Sequence, residues 1–443
     1  MSKSDVRHQI AGSLAGLRPG YWCAMVVVIT LALRVALAVA MPYDAGPDER
    51  YRYAVMGELY RTNRVPPYAG NGASHFVVKP VLGYRLNAWV AHAVPGALPL
   101  YVKLRFGSAL VATLAVVLAY FAVRNLWPEF PARAGIVAAL VGFHPKVLGL
   151  GMYLNADAYT LLAATLVFYL LTIVHRQGRF SQQLAIAVGL ALGLVFLGRE
   201  NGYAGFVLAA GYGLWLLRER ENRWPLAAAV AVALAFPTIF YLQQMLSWGR
   251  AYVPFVVGSG ISWIPPEYSV VEAYRLPLGS SGFEWPVVHL GWWQPLHWLV
   301  FFVPLFTSSF VTFSYHLVDF PALWYSFFFL FATVSVVGWV HRARMVSPAR
   351  SRSGLSRRWL LGSAAAAVLA QIGAVAWLNF SVLHQPDGRY LLPLAVPALL
   401  LLLLGWQFAV RRSSLVRFVT FSAVAFFFMS SIYAAVTLLQ SYA

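Results

Sequence analysis

Runs of roughly 20 apolar residues with almost no charge recur along nearly the whole chain, beginning with Trp22 to Met41, and this restricts the fold more than any motif does. A helix of that length, rising about 1.5 Å per residue, matches a hydrocarbon core about 30 Å thick. With 443 residues, 60% hydrophobic and 11% charged, and a mean hydropathy of +0.67, the chain has too little polar surface to coat a soluble fold. The expected class is all-α and polytopic, one transmembrane unit over residues 1–443 with no separate soluble domain. About eleven spans are predicted, near residues 22–41, 105–123, 134–150, 158–175, 183–198, 202–217, 225–243, 322–340, 359–379, 391–410 and 418–437, with twelve or thirteen left open. Lys3, Arg7 and Arg18 precede a first run without a small-residue cleavage site, which predicts a retained first helix rather than a removed signal peptide. A single cysteine, Cys23, gives no basis for an internal disulfide or a Cys-ligated metal.

Charge predicts the orientation. With the N-terminus in the cytoplasm, the segments on that side hold 19 Lys and Arg against 4 acids, a net +15, while the other side nets +2. Arginines bordering apolar helices suit insertion and anionic lipid headgroups, so the basic balance does not point to nucleic acid. Trp298 to Val318 is apolar enough to cross, but crossing would move Arg342, Arg344, Arg350, Arg352, Arg357 and Arg358 outside. It is therefore read as interfacial or re-entrant, broken at Pro304 and Thr307-Ser308-Ser309.

This topology gathers the acids on the outer face, in a first loop over 42–104, a second over 244–321, and short turns carrying Lys146, Asn155, Asp157, Arg199, Asp387 and Arg389. Transporters bury ionisable groups near the midplane in repeated halves. Here no repeat is visible, and Arg34 is the one charge inside a span; snorkelling or pairing with an outer acid is preferred for it over contact with substrate. In the first loop, Pro47 at a first helical position would start a helix with Asp48 and Glu49 in its first turn and Tyr51, Val55 and Leu59 along one stripe, lying on the membrane. A second amphipathic stretch shows Val78, Leu82, Leu86, Trp89 and Ala93, with Lys79 and Arg85 offset. A helix start favours the anion, so Asp48 is suited to act as a base, although acids at helix starts are also ordinary capping choices. The aromatics of the second loop, among them Trp263, Tyr268, Trp292 and Trp293, fit an interfacial belt and also a platform for sugar rings.

Four short motifs in order carry a resemblance: Pro47-Asp48-Glu49 after the first helix; Phe143-His144-Pro145-Lys146-Val147 with Asn155-Ala156-Asp157; Gly198-Arg199-Glu200-Asn201; and Gly388-Arg389-Tyr390-Leu391-Leu392-Pro393. Together they resemble bacterial members of the GT-C superfamily, polytopic glycosyltransferases that use polyprenyl-phosphate-linked sugars. Many relatives have a histidine three residues after the Glu, where this chain has Arg52. The resemblance implies an inverting transfer to a hydroxyl of a glycan, lipid or protein acceptor, with Asp48 as base and Glu49 orienting an arginine or the sugar. Arg199 and Arg389 are the leading phosphate ligands, since a guanidinium fork donates two parallel hydrogen bonds. Lys79, Arg85 and Lys146 stand behind them, and Arg52, Asp157 and Tyr390 complete the expected substrate contacts. For Asn155, helix capping is the simpler role. No cofactor is required by this scheme, and the histidines lack a paired metal spacing, but some superfamily members use a divalent ion, which leaves room for Mg or Mn. The implied location is the bacterial inner (plasma) membrane, with a periplasmic active face. A lipid-linked sugar flippase and a non-catalytic envelope-assembly scaffold are the competing classes.

Overall fold

The computed structural model describes residues 19–46, 49–65, 80–248, 295–313, 316–317, 322–344, 352–381, 387–410 and 413–442. They form an all-α polytopic membrane protein. In chain order the helices are α1 (Pro19–Ala40), α2 (Glu49–Thr62), α3 (Leu82–Ala93), α4 (Leu100–Leu126), α5 (Pro131–Gly142), α6 (Pro145–Gly149), α7 (Asp157–Gln177), α8 (Gln182–Phe196), α9 (Ala204–Leu216), α10 (Arg223–Trp248), α11 (Pro295–Val311), α12 (Ala322–Arg344), α13 (Arg352–Ser381), α14 (Ala395–Ala409) and α15 (Ser413–Tyr442). Short 3-10 turns, Glu200–Gly202 and Gly388–Leu394, precede α9 and α14, and a two-residue antiparallel ribbon, Thr312–Phe313 with His316–Leu317, follows α11.

Eight helical stretches are long and apolar enough to cross a membrane, α14 only together with the turn before it, over Gly388–Ala409. Every expected span falls on a helix, but α5, α8 and α9 are only 12, 15 and 13 residues long. The cause for α5 is local: His144 precedes Pro145, and a residue before proline is driven out of the α region, here to φ −66° and ψ 120°. The chain stops at Gly142, restarts as the single turn α6, and loops back to Asp157.

The core lies where α4 packs on α5 and α7, α8 on α10, α9 on α13 and α12 on α14. Glycine sets the closest approach. A Cβ on Gly405 of α14 would run into the Ser335 carbonyl of α12, so the two backbones meet with nothing between them.

Three expectations are corrected. The helix α11 runs unbroken through Pro304, with Thr307 and Ser309 hydroxyls donating to the Val303 and Leu305 carbonyls at 2.9 and 2.6 Å. It packs on α6 and the Gly388–Leu394 turn, and through Phe301 and Leu305 on Val375, Ala376 and Phe380 of α13. The first-loop helices do not simply lie on a lipid surface: α2 buries Val55, Met56 and Leu59 against Tyr84, Ala88 and Ala91 of α3 and Leu104 of α4. The buried face of α3 is thus Tyr84-Asn87-Ala88-Ala91, while Trp89 and Ala93, expected on the apolar stripe, are exposed. Arg34 neither snorkels nor meets an acid among the described residues; fully buried, it donates to Thr113 Oγ1 at 3.0 Å and to the Gly142 carbonyl at 3.5 Å. The latter is one of the carbonyls left open where α5 stops.

Candidate active site

The broken α5–α6 segment, the start of α7, the end of α8 and the turn before α14 share one end of the bundle, and each delivers a charged side chain there. Asn155 Oδ1 accepts the Asp157 N–H at 2.8 Å, the capping role expected for it, and this starts α7 with the Asp157 carboxylate fully buried in its first turn. Arg199 follows Gly198, and its own N–H donates to Thr160 Oγ1 one turn along the same helix at 3.1 Å. Its guanidinium therefore reaches Asp157, with Nη1 3.0 Å from both carboxylate oxygens, and Asn201 Nδ2 adds a bond at 3.2 Å.

The second half is built the same way. Asp387 Oδ1 accepts the Arg389 N–H at 2.9 Å and holds the Lys146 ammonium at 2.9 Å, while Arg389 Nε lies 3.2 Å from Oδ2. Gly388 has to be glycine: its N–H donates to Ser308 Oγ at 2.7 Å, and a Cβ there would collide with the Ser309 backbone of α11. Burial alone would raise the Asp387 carboxyl, but Lys146, Arg389 and the Arg389 N–H outweigh it and hold the group at about 2. The halves adjoin, since Arg389 and Arg52 both act on the Asp157 charge and Lys146 feels Asp387, Arg389 and Asp157. Arg52 is buried and donates to the Leu154 carbonyl at 3.0 Å. Tyr153, whose phenol is pushed up by burial and then by Asp157, remains a neutral hydroxyl accepting from Asn155 at 2.9 Å.

Lys146, Asp157, Arg199, Arg389 and Arg52 are thus brought together, and Tyr390 sits beside them with its hydroxyl 3.4 Å from Arg389 Nη2. Arg85 is not among them; it donates to Asn63 Oδ1 at 3.1 Å, at the far end of α2. Asp48 and Lys79 lie outside the described residues. Glu49 is fully buried and paired with an arginine: Oε1 and Oε2 accept from Arg105 Nε and Nη2 at 2.7 and 2.8 Å, and from the Leu154 and Gly46 N–H groups at 3.1 and 3.2 Å. Arg105 also donates to the carbonyls of Ala38, Met41 and Pro42, closing the end of α1. Sequence reasoning missed Arg105, Tyr153 and Asp387 as site-building residues; the signal for the first was that a buried Glu needs a cation, but Lys103 was an equal candidate. Among the described residues no three His, Cys, Asp or Glu side chains gather as a metal site.

Residues 88–241, which carry Lys146, Asp157 and Arg199, match the family model described as dolichyl-phosphate-mannose-protein mannosyltransferase. The chain is similar to the GT-C glycosyltransferases. An undecaprenyl phosphate-alpha-4-amino-4-deoxy-L-arabinose arabinosyl transferase 2 of Pseudomonas fluorescens is 31% identical over 203 residues, 43% of this chain and 35% of the relative. The match therefore spans about a third of that relative's length. An oligosaccharyltransferase of Archaeoglobus fulgidus, in its apo form, has the same fold, with a TM-score of 0.54 over 94% of this chain and 56% of that one at 14% identity.

Proposed function

We propose that this protein is an inverting glycosyltransferase that moves a sugar from a polyprenyl-phosphate donor to an acceptor hydroxyl of an envelope glycan, lipid or protein. The observation that carries the reading is the buried charged cluster. Among the described residues, four cations, Arg52, Lys146, Arg199 and Arg389, gather around the carboxylates Asp157 and Asp387. Their guanidinium and ammonium groups suit the phosphate that leaves, and Asp157 and Asp387 keep the cations aimed before it arrives. In the transfer the bond between C1 and the phosphate oxygen breaks, its electron pair staying on the phosphate. The acceptor oxygen bonds C1 from the opposite face, and its proton passes to Asp48. The base assignment rests on the resemblance and on the anchoring of its neighbour Glu49 by Arg105. Arginine and lysine meet the phosphate's charge, so the scheme is written without a metal. A pentose donor is supported by the arabinosyl transferase named above.

The face is assigned to the periplasm and the N-terminus to the cytoplasm, because Arg124, Arg176, Arg218, Arg342 and Arg357 sit at helix ends opposite the cluster.

The test is release of polyprenyl phosphate by purified full-length protein from a panel of polyprenyl-phosphate sugars, with and without chelator. Asp48→Asn keeps the size of the side chain but cannot take the proton, so turnover is expected to fall by roughly 10²–10⁴-fold while donor binding persists. Wild-type turnover in this variant removes the base assignment, and no turnover with any donor, alongside donor exchange between leaflets, turns the reading to a flippase.

A further inference from the structure

At the end of the bundle away from Asp157 and Asp387 there is a cationic cavity that the proposed transfer does not use. It has a volume of about 470 Å³ and lies between the tip of α4, α5 and the ends of α12, α13 and α14. Four of its lining residues are arginines, Arg133, Arg342, Arg357 and Arg358, and its aromatic walls include Trp127 and Trp339. Arg133 and Arg357 stand over Trp127 at 5.3 and 5.4 Å from the ring centroid, and they repel one another electrostatically. Glu129 lies 4.0 Å from Arg357 and also acts on Arg133. The Arg357 Nε is buried with no hydrogen-bond partner among the described residues. Ser353 and Gly354, in the first turn of the 30-residue helix α13, also line the space, so the positive end of a long helix faces it.

Those features call for an anion with phosphate chemistry. The remaining walls distinguish a lipid from a free ion: Leu361, Leu404 and Phe408 lie one helical turn or so further along α13 and α14 and make an apolar floor beneath the arginines. Inorganic phosphate gains nothing from that floor, whereas an amphiphile can set its first acyl carbons on it. We propose that this cavity binds the phosphodiester headgroup of an anionic phospholipid, independently of the sugar-transfer site. The guanidinium forks take the phosphate oxygens, and the Trp127 and Trp339 rings close the sides.

The experiment is native mass spectrometry of the detergent-purified full-length protein titrated separately with dioleoyl-phosphatidylglycerol, dioleoyl-phosphatidylcholine and inorganic phosphate. Phosphatidylglycerol is expected to bind the wild type in preference to phosphatidylcholine, and to weaken steeply as ionic strength rises. A cation near an anionic headgroup contributes about fivefold in affinity, so Arg133→Gln with Arg357→Gln should weaken phosphatidylglycerol binding by about 30-fold. Arg133→Lys with Arg357→Lys keeps the charge and should lose about fivefold or less. Equal binding of the two lipids, no salt dependence in the wild type, or a lysine pair as weak as the glutamine pair overturns the proposal. Inorganic phosphate binding as tightly as phosphatidylglycerol overturns the lipid assignment. The wild-type salt titration decides the matter even if the glutamine pair does not fold.

Discussion

Replacing Glu49 by Gln removes one negative charge from a contact in which both side chains are completely buried, and the geometry sets the cost. Arg105 loses the partner at 2.7 and 2.8 Å that balances its guanidinium, while Ala38, Met41 and Pro42 carbonyls remain to accept from it but carry no charge. Breaking a buried pair by neutralising one member costs about 3–5 kcal/mol, because the remaining charge stays desolvated and uncompensated. The glutamine amide keeps one acceptor oxygen, so either the Leu154 N–H at 3.1 Å or the Gly46 N–H at 3.2 Å also loses its acceptor, adding about 1 kcal/mol. The expected loss is therefore about 4–6 kcal/mol, read as a shift in the unfolding midpoint of the purified protein in detergent. Glu49→Gln with Arg105→Gln should recover more than half of it, since no charge is then left buried. A catalytic Glu49 predicts the reverse: unchanged stability, lost turnover, and no rescue by the second substitution. Wild-type stability in Glu49→Gln would refute the positioning role outright.

The other predictions address the cluster itself. Arg199→Lys and Arg389→Lys keep the charge but lose the fork, so donor affinity should fall by roughly 10- to 100-fold in each; unchanged binding isotherms would make both residues structural partners of Asp157 and Asp387 only. Asp387, with its carboxyl at about 2 in the fold against an ordinary 3.8, contributes stability that is complete above the ordinary value and lost as pH falls through about 2. Acid unfolding of Asp387→Asn should accordingly be less pH-dependent than wild type between pH 4 and 2, and identical titration curves would remove the ion pair with Lys146 from the account. Gly388→Ala forces a methyl group onto the Ser309 backbone and should destabilise by about 1–3 kcal/mol, measured by thermal unfolding, because a main chain cannot rotate aside as a side chain can.

How far the sequence foretold this depends on the range of the interaction concerned. Apolar runs are local, so α1, α4, α7, α10 and α12 to α15 lie where hydropathy put them. The shortening of α5 was local too, written in His144-Pro145, yet a hydropathy window averages over it and reads one span to residue 150. The stripe on α3 failed for another reason. Leu82, Leu86, Trp89 and Ala93 form the more apolar face, but small and polar Ala88, Ala91 and Asn87 let α2 and α4 approach closely; Gly107 of α4 lies directly on Asn87. Where helices pack on one another, close approach competes with hydrophobicity, and periodicity reports only the second.

For the site, sequence reasoning supplied cations and acids at helix ends but not their partners. Arg199 and Asp157 are 42 residues apart, and Lys146 and Asp387 are 241 apart, so each pairing is decided by which helix ends meet. What a sequence can supply is the requirement: every carboxylate predicted to be buried needs a cation, and every buried cation needs an acceptor. Applied to Glu49 that rule demands a partner without choosing between Lys103 and Arg105. Only the way α4 faces chooses, with Arg105 turned inward to the ends of α1 and α2 while Lys103 remains half-exposed. Arg34 answers the same rule with neutral acceptors, Thr113 and the open Gly142 carbonyl. The break in α5 that carries Lys146 toward Asp387 is thus also what gives the membrane-buried Arg34 a carbonyl to bind, tying a charge inside α1 to the geometry of the site.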